Sequence, residues 1–122
     1  MNKKKKNIKK LIKLNPETNR MIYLHYGNIK DEINKGLRQG RKQINIPVYL
    51  RYELSSLKDD IYKIATQKYI CISLIRKLEH DGYDIKIKFK DNDVVDFIIQ
   101  LYNDEDMYYI KKLDEYINKY KL

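Results

Sequence analysis

Between Tyr69 and Leu101 the spacing of apolar residues changes once, and the rest of the chain is arranged around that change. Cys71, Ile72, Leu74, Ile75 and Leu78 recur at steps of three and four, the spacing of one helical face. Tyr69 and Ile70 widen the stripe, so the pattern predicts a helix over 69–81 with little of its surface left for water. Gly82 follows the last periodic residue, where a glycine takes the left-handed conformation that closes a helix. His80, in the last turn, suits the helix dipole. After Gly82 the period is two. Tyr83, Ile85, Ile87 and Phe89 alternate with Asp84, Lys86, Lys88 and Lys90, which predicts a half-buried strand. Asp91-Asn92-Asp93 interrupts, and Val95, Phe97, Ile99 and Leu101 resume the alternation. Side-chain matching sets the register. A three-residue loop pairs Phe89 with Val95, Ile87 with Phe97 and Ile85 with Ile99, and puts Lys88 across from Asp96 on the wet face. A two-residue loop would set Phe89 opposite Asp96 and mix the faces. The three-residue loop is therefore expected, with Asn92 or Asp93 left-handed.

The flanking segments carry weaker patterns. Asn15-Pro16-Glu17 reads as N-cap, first helical position and first-turn acid, predicting a helix Pro16–Tyr26 closed by Gly27. The β-favouring residues Ile22, Tyr23 and Tyr26 leave a strand at Met21–Tyr26 as the rival. Asn28 then caps a second helix reaching Gly40, with Asp31 and Glu32 early and Ile29, Ile33 and Leu37 as its stripe. Ile44, Ile46, Val48 and Leu50 alternate with polar neighbours as a strand, and Pro47, which cannot donate to a ladder, places that strand at a sheet edge or beside a bulge. Leu57, Ile61, Ile64 and Ala65 predict a helix opened by Ser55 or Ser56. It either breaks near Thr66-Gln67 or runs on into the central helix. Asn103 caps a final helix with Asp104, Glu105 and Asp106 first and Lys111, Lys112, Lys119 and Lys121 later. Its stripe, Ile110, Leu113, Ile117 and Tyr120, spans two heptads and is expected to dock on the core of its own chain, with a second subunit or a viral coat partner as the other occupant. The result is an α+β fold: one domain over 15–122, helices packed on a short antiparallel sheet containing a C-terminal hairpin, with a last helix beyond it. Residues 1–14 form a basic arm expected to be disordered.

Composition changes this picture in one respect. The chain carries a net charge of +9 over 122 residues, and the excess is not spread evenly. Residues 1–61 hold 15 Lys+Arg against 6 Asp+Glu, whereas residues 62–122 hold 11 against 11. Residues 1–13 alone hold seven lysines and no acid. Clustered lysines release counterions from nucleic acid, so the arm reads as a phosphate-binding segment. A solvating tail is the plainer reading, and a membrane surface a third, because Ile8, Leu11 and Ile12 share a helical face. The usage of 21 Lys to 5 Arg, 18 Ile and one Ala is that expected of an AT-rich genome, so codon bias competes with binding as a source of the lysine and weakens the charge argument without removing it. A second basic group, Lys35, Arg38, Arg41 and Lys42, falls in eight residues without an acid.

Candidate chemistry is sparse. Gly36-Leu-Arg-Gln-Gly40-Arg-Lys has three residues between its glycines where a phosphate loop has four, and Gln43 stands where Ser or Thr would hold magnesium. Asp91, Asp93 and Asp96 lack the glycine and glutamate of a calcium loop, since Asp96 and Tyr102 occupy those places. One cysteine and two dispersed histidines, His25 and His80, are a poor supply of zinc ligands. Cys71 sits in an apolar run with nothing nearby to lower its pKa, and a single cysteine suits a reducing, intracellular setting. No serine or cysteine has a recognisable base. No secretory leader, membrane span, metal, cofactor or small-molecule substrate is expected, and the protein is expected not to be an enzyme.

The order of helix, strand, helix, helix, strand, turn and strand over residues 28–101, together with SLIRKLEHDGYDIKIKFKDND, resembles winged-helix DNA-binding domains, with Lys86, Lys88 and Lys90 in the wing. That resemblance implies a regulator that reads DNA, although Tyr69-Ile70-Cys71-Ile72 supplies none of the polar residues that meet base edges. The composition and the helix, Ile-Pro strand, helix, Asp-Gly-Tyr and hairpin order also resemble small α+β proteins of large AT-rich DNA viruses. That likeness implies an intracellular viral protein, in the host cytoplasm or nucleus or in the virion, associated with the genome or the particle. The function expected from the residues is a non-enzymatic basic protein that associates with nucleic acid without sequence specificity. Its contacts are Lys3, Lys4, Lys5, Lys6, Lys9, Lys10 and Lys13 of the arm, the group Lys35, Arg38, Arg41 and Lys42, and the hairpin residues Lys86, Lys88 and Lys90. An assembly protein forming oligomers through its last helix is the alternative, and a winged-helix regulator the third.

Overall fold

The computed structural model describes residues 10, 12, 13, 15–49, 60–89 and 94–120. Three long helices and three strands follow in the order α1 (Pro16–Arg38), β1 (Gln43–Tyr49), α2 (Asp60–His80), β2 (Asp84–Phe89), β3 (Val94–Gln100) and α3 (Asp104–Tyr120). The strands form one antiparallel sheet in the order β1-β3-β2. The α+β architecture with a C-terminal hairpin and final helix is the one the hydrophobic pattern predicts.

The start of α1 is as expected: Asn15 caps it by accepting a hydrogen bond from the Glu17 N–H at 2.9 Å, and Pro16 takes the first turn. Its length is not. Gly27 neither ends a helix nor does Asn28 begin one, and the rival strand at Met21–Tyr26 does not form. A single helix of 23 residues runs through both positions. The reason lies in the stripe Met21, Ile22, Ile29, Ile33, which is continuous across Gly27 and buried along its whole length. Burying such side chains is worth roughly 1.5–3 kcal/mol each, against about 1 kcal/mol lost to a mid-helix glycine. Upstream, Lys10, Ile12 and Lys13 are helical, and Ile12 is only 5% exposed. That side chain is therefore spent on the domain rather than held for an anionic surface.

The helix ends at Gly40, with φ of 67°. The Gly40 N–H donates to Leu37 O and the Arg41 N–H to Gly36 O, the paired bonds of a left-handed glycine cap. The same closure recurs after α2, where Gly82 has φ of 95°, its N–H donates to Glu79 O, and the Tyr83 N–H donates to Leu78 O.

In the middle of the chain the structure decides between two open alternatives and corrects the expected burial. Residues 60–80 form one helix, so the segments predicted over 57–65 and 69–81 are not separated by a turn at Thr66-Gln67. The proposed Ser55 or Ser56 cap lies outside the described residues. Nor is the helix buried nearly all round. Ile70, Leu74 and Leu78 are fully buried, but Ile64 and Ile72 face outward, Ile72 with 48% of its surface exposed.

The hairpin register matches the side-chain argument: Ile85 pairs with Ile99, Ile87 with Phe97, Lys88 with Asp96 and Phe89 with Val95. Its turn residues lie outside the described residues. Strand β1 pairs with the other side of β3, with Pro47 opposite Asp96. Because β1 is an edge strand, proline's missing N–H costs no second ladder. Three apolar rows thus cross the sheet, Ile44–Ile99–Ile85, Ile46–Phe97–Ile87 and Val48–Val95–Phe89. The core forms where α1 and α2 cover β1 and β3, with Ile44, Val48, Val95, Phe97 and Ile99 all buried. Strand β2 overhangs. The predicted half-burial holds for Tyr83 and Ile85, while Ile87 and Phe89 are 41% and 71% exposed.

Candidate functional site

Among the described residues the predicted cations are exposed but do not converge. Lys10 and Lys13 precede α1, and the remaining lysines of the arm lie outside the described residues. Lys35, Arg38, Arg41 and Lys42 are all exposed at the other end of the same helix. A helix of 23 residues is about 34 Å long, so Lys13 and this cluster flank opposite ends of α1. Lys86 and Lys88 alternate with the apolar rows and therefore point from the sheet face turned away from α1 and α2. They also serve a structural end, since lysines on an edge strand oppose pairing with other chains. Lys90 lies outside the described residues.

Within the Lys35–Lys42 cluster one cation is engaged. The Lys42 ammonium donates to Asp104 Oδ1 at 2.6 Å, tying the end of α1 to the start of α3 and holding the Asp104 carboxyl below its usual pKa. Both side chains are well exposed, so this tie adds little stability. Lys35, Arg38 and Arg41 have no acidic partner among the described residues.

A second polar cluster was not legible in the sequence, because it joins residues more than fifty positions apart. The Tyr26 hydroxyl of α1 donates to Asp81 Oδ2 at the end of α2, and the Lys30 ammonium lies 3.6 Å from the same oxygen. Lys30 also stands over the Tyr83 ring at 5.1 Å, and Lys77 over the Tyr26 ring at 5.7 Å. The hydrogen bond from Tyr26 lowers the Asp81 pKa and raises that of Tyr26. Tyr26, Lys77 and Asp81 of this cluster, with Arg76 and His80, line an open cavity of about 410 Å³. Its residues stabilise an anion; they do not present a nucleophile with a base. Cys71 is the one thiol, and burial pushes its pKa up to about 11, away from reactivity. Among the described residues no three His, Cys, Asp or Glu side chains lie together as metal ligands, and no helix is long and apolar enough to cross a membrane.

The C-terminal helix departs most from expectation. Asn103 caps it as predicted: the Asp106 N–H donates to Asn103 Oδ1 at 2.8 Å and Asp106 Oδ2 accepts from the Asn103 N–H at 3.1 Å. Docking on its own core does not follow. No side chain of α3 is buried. Ile110 is half-covered, its Cγ2 lying where a Cβ on Gly40 would be 3.0 Å away. From Lys111 to Tyr120 every residue is exposed, Leu113, Tyr116, Ile117 and Tyr120 among them. Beyond Ile110, the interaction face proposed from the heptads is thus exposed. Compared with known proteins, the chain matches no family model, no curated protein and no solved structure.

Proposed function

We propose that this is a non-enzymatic binding protein that associates with nucleic acid through phosphates and without reading base sequence. The observation that carries the proposal is the placement of charge: residues 1–13 hold seven lysines and no acid in a chain whose net charge is +9. The folded part is nearly neutral by comparison. Its cations are exposed on several sides rather than in one groove, so the arm supplies most of the attraction and Lys35, Arg38 and Arg41 supplement it. The outer side of α2 supports the absence of sequence reading, because it presents Ile64 and Ile72 where base recognition requires hydrogen-bonding side chains. Each neutralised phosphate adds about −0.9 to the slope of log affinity against log salt. Duplex DNA is therefore expected to bind at low salt, and deletion of residues 1–13 to flatten the slope by up to about 6. Failure to bind at low salt, or an unchanged slope after the deletion, refutes this function.

The bareness of α3 favours a second reading, an assembly protein that oligomerises through Ile110, Leu113, Ile117 and Tyr120. The two readings are compatible in one molecule, since the arm and α3 are distinct segments. Sedimentation at high salt separates them: an oligomer that persists where DNA binding is lost belongs to α3.

A further inference from the structure

Resting on the second reading, we infer that α3 pairs with α3 of a second copy, antiparallel, about a two-fold axis near Leu113. The occupant follows from the chemistry of the helix. At about 100° per residue, Tyr109, Ile110, Leu113, Tyr116, Ile117 and Tyr120 fall on one side, and all but the half-covered Ile110 are exposed. An amphipathic helix of 17 residues gains little by itself in water and draws its stability from burying its apolar face. The domain supplies no such cover beyond the first turns.

Charge selects the orientation. The first turn of α3 is Asp104, Glu105 and Asp106, and its last turn carries Lys119. Antiparallel pairing sets the acidic end of each copy beside the basic end of the other, with opposed dipoles. Parallel pairing stacks acid on acid and lysine on lysine. The match extends to single residues. Glu105 precedes Leu113 by eight positions and Lys119 follows it by six, and both lie on the same flank of the apolar side. A two-fold axis through Leu113 keeps like flanks together, so Glu105 of one copy comes level with Lys119 of the other to within about one turn. Across the same axis Tyr109 meets Tyr116 on one flank, Ile110 meets Ile117 on the other, and Leu113 meets itself. Lys112 approaches its own copy on this flank, but its ammonium lies over the Tyr108 ring, 5.0 Å from the centroid, on the side away from the seam.

The test uses the full chain in two steps. Sedimentation is expected to show a dimer at high salt that Leu113→Asp converts to a monomer with unchanged far-UV circular dichroism, because Leu113 is exposed in the protomer. A folded monomer in the unsubstituted chain, or a dimer indifferent to Leu113→Asp, removes the α3 seam altogether. Orientation is then read by treating mixed Glu105→Cys and Lys119→Cys chains with a short bifunctional maleimide, since flank positions lie beyond the reach of a disulfide. Antiparallel pairing predicts at least a tenfold excess of the mixed cross-link over either self cross-link. Predominant self cross-links, or none of the mixed kind, with the Leu113→Asp result intact, overturn the antiparallel arrangement and leave the α3 reading standing.

Discussion

Two glycines of α1 show how one residue type meets opposite demands. Gly27 is exposed, and a Cβ built there has no neighbour within 4 Å. Gly36 is buried, and its Cβ would lie 2.6 Å from Leu101 Cδ1 and 2.9 Å from Ile44 Cγ2. Both sit in regular helix, so alanine improves propensity equally at each, by about 1 kcal/mol. Gly27→Ala is expected to stabilise the protein by about 0.5–1 kcal/mol in urea denaturation. Gly36→Ala is expected to lower stability despite the propensity gain, since overpacking costs about 1–3 kcal/mol and Ile44 is held at a stiff β-branched position. Equal effects of the two substitutions would show that the α1–β1 contact is looser than described. Cys71 offers a residue-scale test of burial. With its pKa at about 11, the thiolate is scarce at pH 8, and labelling by a disulfide reagent should be slow and rise about tenfold per pH unit until pH approaches that value. The sign for stability follows from linkage. The folded pKa lies above the ordinary thiol value of 9.0, so this contribution is complete below pH 9 and is lost as pH climbs toward 11. Labelling at pH 8 as fast as in the unfolded chain would place Cys71 in solvent.

At the scale of elements, local pattern succeeded where neighbours in sequence are neighbours in space. The hairpin register was legible because a slip would oppose Phe89 to Asp96, and the loop length decides between the two alignments. Asn15, Asn103 and Gly82 were legible because capping is a contact between residues a few positions apart. The helix boundaries at Gly27 and at Thr66-Gln67 were not. A glycine or a polar pair weakens a helix by little, and whether the helix survives depends on what Ile22, Ile29 and Ile33, or Ile70 and Leu74, are packed against. The burial of β2 failed for the same reason, since alternation tells which residues share a face but not whether a helix lies over them. Helix α3 provides the test at this scale. Removing residues 103–122 deletes no buried side chain among the described residues, so the urea midpoint of the remaining chain is expected to shift far less than it does for Gly36→Ala. A collapse of cooperative unfolding would mean that α3 is integral to the core.

For the whole molecule, the distribution of charge and of bare apolar surface divides the labour between the two ends of the chain. The N-terminal arm carries seven of the nine net positive charges, and the C-terminal helix carries an apolar face exposed from Leu113 to Tyr120. Between them lies a two-layer body whose surface charges nearly balance. The Tyr26–Asp81–Lys30 cluster belongs to that body: it clasps α1 to the end of α2. In Tyr26→Phe the Asp81 carboxyl should titrate closer to the ordinary carboxylate value, a shift measurable by side-chain nuclear magnetic resonance. Because the folded carboxyl pKa is lowered, what the clasp adds is present above the ordinary carboxylate range and fades as pH falls below it. An unmoved titration would assign the lowering to Lys30 instead.

Sequence by itself determined the class of fold, the strand pairing of the hairpin, the caps and the uneven charge, because each depends on residue type and short-range spacing. Only the tertiary structure decided that α1 and α2 run unbroken, that β2 overhangs the core, that the cationic groups stand apart, and that α3 is left bare. Those outcomes depend on which surfaces find cover, and cover comes from residues tens of positions away whose pairing no local pattern encodes.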